Sequence, residues 1–577
     1  MAQFSNQFMH PIDWAVLIIT IVSIVLYGIL KTRGKQTLKS YLLGSNELKW
    51  WTIGLSIMAT QASAVTFLST TGQGFDDGMR FAQFYFGLPI AMVLISIFFL
   101  PIYYRLNVYT AYEYLETRFD LRTRTFTASL FLLLRGMSGG LTLAAPGIVL
   151  ASILGWSWFS TNALVGAFVL CYTVLGGGKA VSVTQQQQMV IILIGMLFAF
   201  GLMIYKLPND VHFSDAMAIS GRLNKLNIVD FNFDWHNKYT FWSGMIGGVF
   251  LFMSYFGTDQ SQVQRYLSGK SLAESKLGLL FNGMIKVPMQ VLILMVGVMM
   301  FVFYQFNAAP LHFNAKILNT LKTNPAYSAS FDSIQNDYNL NFEKKRGAVT
   351  NLVSAIRSND LERQTVLTTD IKNLQISERN LRKGVKDLMV QADAKADVRD
   401  RDYTFIYFIM NELPRGLVGF LIAVIFSAAM SSSASEINAL STTSMIDIYR
   451  RLLKPNETDA HYTFVSKLLT ILWGFIVLGF ATVVTFFSNL IEAVNIIGSL
   501  FYGTILGIFL AGFFFKRIHS RAIFYGALIG ETCIIATWLN YGLHDSNFPF
   551  LWLNPLGCIF TILFASILQI FLKVKTV

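Results

Sequence analysis

The sequence predicts an all-α polytopic membrane protein, and three observations carry that prediction. Of its 577 residues, 54% are hydrophobic and only 14% charged, whereas a soluble chain carries about 25% charged residues. Apolar runs of roughly 20 residues, the length a helix needs to cross a bilayer, recur nearly end to end. Basic residues gather in alternate loops, as cytoplasmic loops do.

The runs define about thirteen spans of bilayer-crossing length, near 13–31, 51–72, 81–104, 125–153, 158–177, 184–206, 240–264, 276–304, 413–446, 463–487, 490–515, 521–540 and 551–573. The first, Trp14 to Leu30, is not a signal peptide: its basic residues Lys31, Arg33, Lys35 and Lys39 follow it, and no small-residue cleavage site does. That order puts the N-terminus outside. The loops that then fall inside hold Lys31 to Lys49, Arg105 to Arg124, Lys179, Arg265 to Lys276, Arg450 to Lys454 and Lys516 to Arg521, with Lys573 and Lys575 in the tail. The short outer loops Gly155 to Phe159 and Ser488 to Leu490 lack basic charge, so an odd number of spans and an inside C-terminus fit the positive-inside rule.

The segment 307–402 breaks the pattern. It is polar, with apolar residues Leu352, Ile356, Leu361, Leu367, Ile371 and Leu374 at roughly helical intervals, and reads as an extracytoplasmic helical insertion. Long loops translocate regardless of charge. It serves as a lid, as a docking element for a partner of unknown identity, or simply as a tolerated insertion.

The net charge of +12 is explained by inside loops, and no basic and aromatic module points to nucleic acid. Cys171, Cys533 and Cys558 lie far apart, giving neither metal-ligand spacing nor a disulfide framework. No Gly-x-Ser-x-Gly elbow or phosphate loop is present, so an enzyme is not expected.

Lipid offers no hydrogen bonds, so a membrane helix is interrupted only where it lines a cavity or site. Two stretches look interrupted: Gly54 to Phe67, crowded with small and hydroxyl residues, and Ser243 to Gln260, with four glycines in an aromatic run. Close packing through small residues is the competing explanation. A third stretch, Phe426 to Asn438, is rich in serine. Hydroxyls and freed carbonyls supply the oxygen ligands that a monovalent cation needs. Intramembrane charges are costly and point to function. Arg135 sits mid-span, Glu436 one turn from Ser432, and Lys286 beside Pro288. Arg135 either pairs with Glu436 or finds a partner elsewhere. Lys286 is a solute contact or a clamp on carbonyls freed by the proline. Of Gln185 to Gln188, at most two share one helix face.

These stretches, with Ala111 to Phe119, the Gly176-Gly177 turn, Gln264-Arg265 and Asp447 to Arg450, resemble the sodium/solute symporter family over about Trp14 to Arg517. The pattern is similar to that of bacterial members carrying sialic acid or galactose, which implies the cytoplasmic (inner) membrane. The resemblance implies a LeuT-type core of two inverted five-helix repeats. Its first repeat would be 51–206 and its second 240–306 with 403–517. Residues 1–50 would supply an extra helix, 518–577 two more, and 307–402 has no counterpart. The implied sodium ligands are carbonyls of Ala59, Ala62 and Ala428 and hydroxyls of Ser431 and Ser432. Some members hold a second sodium with an aspartate where this chain has Gln185, and a supporting serine is Ala434 here. One sodium is therefore expected, with Glu436 as a less direct replacement charge.

By position, Gln61, Ser63, Thr66, Phe81, Tyr85, Ser138, Tyr255 and Lys286 are the candidate solute contacts. Phe252, Tyr85 and Ser138 depart from the galactose and sialic-acid patterns. The hydroxyl and amide groups suit a sugar or sugar derivative. The expected function is sodium-coupled import of a small organic solute. The alternative is a transporter-like sensor signalling through a partner.

Overall fold

The computed structural model describes residues 9–32, 37–44, 48–154, 156–234, 237–393, 398, 400–482, 490–543 and 548–572. Arg33, Lys35, Gly155, Ser488, Lys573 and Lys575, invoked above for topology, lie outside the described residues. Within them the protein is helical. The one β feature is an isolated parallel bridge between Leu48 and Gly269.

Before the insertion the helices are α1 (Pro11–Lys31), α2 (Leu38–Leu43), α3 (Trp50–Gln61), α4 (Ala64–Asp77), α5 (Leu88–Leu94), α6 (Leu100–Leu106), α7 (Glu113–Arg118), α8 (Leu121–Leu154), α9 (Trp158–Tyr205), α10 (Phe213–Arg222), α11 (Gly248–Gly257), α12 (Gln260–Leu267) and α13 (Leu272–Phe306). The insertion supplies α14 (Ala315–Thr323), α15 (Pro325–Arg357), α16 (Leu361–Ala392) and α17 (Arg401–Glu412). The chain then continues as α18 (Leu417–Thr443), α19 (Asp459–Ala481), α20 (Leu490–Phe514), α21 (Ser520–Thr537) and α22 (Leu553–Phe571).

Ten helical stretches among the described residues are long and apolar enough to cross a membrane. Two exceed one crossing: 64–106 has 43 residues and 159–205 has 47, and at 1.5 Å per residue the latter would reach about 70 Å, twice the bilayer. Both are interrupted. In 159–205 the chain turns at Gly177, where φ is +56° and a Cβ would strike the Tyr41 carbonyl and ring. Only glycine fits there. In 64–106, α4 ends at Gly78 with φ +72° and a 3₁₀ segment, Gly78–Tyr85, leads toward α5.

Lipid requires helix ends to be satisfied within the protein. Asp13 is the clearest case: its Oδ1 accepts from Gly416 N at 2.6 Å and Gly419 N at 3.0 Å. These are open amides at the start of α18. Asp13 thus locks α1 to the helix that carries the serine-rich stretch.

In the insertion, α15 and α16 form an antiparallel hairpin turned at Asn359 (φ +55°) and capped by Asp360 Oδ1, which accepts from Arg363 N at 3.0 Å. Phe331, Tyr338, Val385 and Met389 belong to a local apolar cluster. Leu352 and Ile371 instead join the main core, so the hairpin leans on the membrane part, while Leu361 is exposed. Arg357 ties it to α10 through Asp215 at 2.6 Å. Lys345, 2% exposed, pairs with Glu378 at 2.5 Å, and Arg382 adds a contact at 3.2 Å. Burial pushes the Glu378 carboxyl up, but Lys345 and Arg382 more than offset that and hold it below its ordinary value.

Glu378→Gln strands a buried ammonium and should loosen the hairpin by about 3 kcal/mol. Hydrogen exchange should rise in 361–392 and stay unchanged in α18. Because the folded carboxyl titrates below its unfolded value of about 4.3, its stabilisation is complete above that pH. It is lost as pH falls through the depressed folded value. Exchange in α16, corrected for intrinsic rate, should therefore be flat from pH 8 to 6 and rise below about pH 4.

Candidate functional site

Both predicted interruptions are present. α3 stops at Gln61, Ala62 (ψ 75°) and Ser63 (ψ 170°) leave the helical region, and α4 starts at Ala64. α11 stops at Gly257, and Asp259 (ψ 121°) begins α12, its Oδ1 accepting from Ser261 N at 2.9 Å and Ser261 Oγ at 2.6 Å. α18 runs unbroken past both.

The residues expected to hold sodium meet at the first interruption. The Ser431 hydroxyl donates to the Ala59 carbonyl at 3.0 Å, bridging α18 to the last turn of α3. The Ser432 hydroxyl donates to the Ala428 carbonyl at 3.0 Å. Ala62 lies at the interruption itself, and all five residues are buried. Gln185, seen from sequence only as a missing carboxylate, is wired into this place. Its Oε1 accepts from Ser56 Oγ at 2.5 Å, and its Nε2 donates to Thr60 Oγ1 at 2.9 Å and to the Ser431 carbonyl at 3.2 Å. The Thr60 and Ser435 hydroxyls lie 3.1 Å apart. A neutral amide thus spends its donors where a carboxylate would present acceptors.

Arg135 is the centre of a second cluster. Its Nε meets Asp259 Oδ2 at 2.5 Å, one terminal nitrogen meets Glu436 Oε1 at 3.0 Å, and the other donates to Tyr502 Oη at 2.6 Å. The guanidinium lies 4.9 Å from the Tyr255 ring centroid. Residues from α8, the second interruption, α18 and α20 are joined through one side chain.

Between the two clusters lies a cavity of about 80 Å³. Gln61, Ser63, Thr66, Tyr85, Tyr255, Arg135, Glu436 and Ser432 line it. Three candidates do not. Phe81 sits between Tyr85 (ring centroids 5.9 Å) and Tyr239 (5.1 Å), which lines a separate vestibule of about 760 Å³ beneath the insertion. Ser138 receives a hydrogen bond from Arg135 at 3.4 Å. Lys286 is buried in α13 with no hydrogen-bond partner on its Nζ. Sequence reasoning missed Asp259 and Tyr502. Asp259 carried a signal, an acid inside a suspected interruption; Tyr502, one of 23 tyrosines, carried none.

The remaining motifs assemble elsewhere. Asp447 binds Arg124 at 2.7 Å and accepts from Thr110 Oγ1 at 2.9 Å, and Glu116 binds Arg124 at 2.8 Å and Arg451 at 2.5 Å. Arg118 closes the end of α20 on the Gly512 carbonyl at 3.1 Å.

A model described as the sodium:solute symporter family matches residues 41–338 and 386–530. The chain belongs to that family. The unmatched stretch, 339–385, is the middle of the α15–α16 hairpin. Sodium-coupled monocarboxylate transporter 2 of Mus musculus is 26% identical over 517 residues, covering 89% of this chain and 69% of the relative. The sodium/sialic acid symporter SiaT of Proteus mirabilis (strain HI4320) is 23% identical over 542 residues, 93% and 91% of the two chains. The solved substrate-bound, outward-open state of a sodium-coupled sialic acid symporter superposes with a TM-score of 0.74 at 22% identity, covering 99% of both chains. The protein is a membrane symporter, and sodium is its coupling ion.

Tyr502→Phe keeps the ring but removes the acceptor from a buried guanidinium, which should cost about 1–3 kcal/mol. Thermal unfolding of the purified protein should show a lowered midpoint, with the helix content at low temperature unchanged.

Proposed function

We propose that the protein imports a small organic solute with one sodium ion by alternating access, the ion held by the Ala59, Ala62 and Ala428 carbonyls and the Ser431 and Ser432 hydroxyls. The observation that carries this reading is the Ser431–Ala59 contact, which joins an unbroken helix to the end of a broken one. When sodium binds, the two hydroxyls turn their lone pairs to the ion and exchange carbonyl partners for it. No full charge is needed, and the ion is held weakly enough to leave.

The solute site is the adjoining cavity, with Gln61, Ser63, Thr66, Tyr85 and Tyr255 as its first contacts. Ser432 lines that cavity and is also a proposed sodium ligand. One residue thus faces both cargoes, which is the physical basis for each raising the other's affinity. Sodium entry adds an electrical drive of about 2.3 kcal/mol per 100 mV.

The two interruptions, one at the start of each proposed repeat, support a LeuT-type core of two inverted five-helix repeats. Counting the turn at Gly177 and the bend at 78–87 as returns, and α11–α12 as one crossing, gives about thirteen spans of the length a bilayer needs. Basic loops support an outside N-terminus, an inside C-terminus and an outer-face hairpin, in a cytoplasmic (inner) membrane.

Ser431→Ala should raise the sodium concentration for half-maximal uptake about 10-fold or more and slow solute uptake in proteoliposomes with it. Unchanged sodium dependence would remove Ser431 from the site. Gln185→Asp restores a carboxylate beside Ser56 and Thr60. The sodium Hill coefficient of uptake should then move from about 1 toward about 2; a coefficient of 2 in the unmodified protein would contradict single-ion coupling.

A further inference from the structure

We infer that the solute carries a protonated primary or secondary amine, with the Glu436 carboxylate as its counter-ion in the aromatic-lined cavity. This rests on the reading of that cavity as the solute site, and three features converge on it.

The first is charge. One guanidinium, Arg135, stands against two carboxylates, Asp259 and Glu436. Among the described residues Arg135 and Glu436 are the charged side chains that line the cavity itself, and Asp259, behind Arg135, already balances the guanidinium. Arg135 is also largely engaged: four of the five N–H donors a guanidinium offers go to Asp259, Glu436, Ser138 and Tyr502. An anionic solute would have to strip it from two carboxylates in a buried setting, where an unpaired charge is costly.

The second is hydrogen-bond demand. Two side-chain atoms of the cavity lining are buried without a partner, Glu436 Oε2 and Gln61 Oε1. Both are acceptors. Glu436 is 5% exposed, so solvent does not satisfy it. Buried acceptors left open call for N–H or O–H donors, and an ammonium with at least two N–H groups serves both.

The third is the wall. Phe84, Tyr85, Phe252, Tyr255 and Tyr502 line the cavity, with Tyr85 and Phe252 stacked at 5.7 Å and Tyr255 and Tyr502 tilted against each other at 6.0 Å. Aromatic faces attract cations, and the Tyr255 ring already faces Arg135. Rings, a free carboxylate oxygen and an amide oxygen together form a cage for an ammonium group.

The test is thermal stability of the full-length protein in sodium, against amines (ethanolamine, proline, putrescine, glucosamine), a neutral twin (glucose) and anions (pyruvate, N-acetylneuraminate). At least one amine should stabilise and its neutral or anionic counterpart should not. Glu436→Gln should weaken that amine about 30-fold or more while leaving the sodium-versus-potassium difference without solute intact. A panel in which no amine stabilises, or in which an anion does so in an amine's place, overturns the inference. So does a Glu436→Gln variant that keeps its amine response but needs more sodium, because the carboxylate would then serve the ion. A native protein equally stable in sodium and potassium would speak against the Ser431 and Ser432 site instead. The amine comparison with the native protein needs no variant to fold.

Discussion

The Arg135 guanidinium, 3% exposed, draws Asp259, Glu436 and Tyr502 to itself, and much of the transport core is arranged around that contact. A charge in this place is tolerated only when it is paired and hydrogen-bonded. Meeting that condition brings α8, the second broken helix, α18 and α20 to one point. The aromatic wall of the cavity closes on the same side chain through Tyr255 and Tyr502. Moving α8, the second broken helix or α18 leaves a charge uncompensated, and moving α20 takes a hydrogen-bond acceptor from the guanidinium, so the cluster both binds the core together and is sensitive to what enters the cavity.

The first interruption follows the opposite principle. Around Ala59, Ala428, Ser431 and Ser432 the hydrogen bonds among the described residues run between neutral hydroxyls and carbonyls. Gln185 extends that neutral network from Ser56 to the Ser431 carbonyl. A weakly held monovalent ion suits such a place. The two clusters, one neutral and one charged, flank a single small cavity, and Ser432 and Glu436, one turn apart on α18, carry one cluster to the other.

The hairpin is a separate construction on the same scaffold. It has its own apolar cluster and its own ion pairs, and the middle of it falls outside the part matched by the family model. Lys372, Gln375 and Arg379 of α16 nevertheless line the large vestibule together with Asp76, Asp77 and Lys238 from the membrane part. The hairpin is thus a wall of that vestibule as well as an appendage.

The sequence by itself determined the helical membrane class, the places where helices break and the residue types suited to a sodium site. Those features are written in local composition: apolar length, small and hydroxyl residues where backbone groups must be freed, and the periodic stripe of the hairpin. What only the tertiary structure decided was partnership. Arg135 was visible as a buried charge, but its choice of Asp259, Glu436 and Tyr502 brings together residues up to 367 positions apart, and no local pattern encodes such a meeting. Gln185 read as an absence until its amide was seen spanning two helices. Phe81, Ser138 and Lys286 were named by position, yet the folded chain leaves them outside the cavity lining. Spacing along a helix fixes which face a residue occupies; the packing of the neighbouring helices fixes what that face meets.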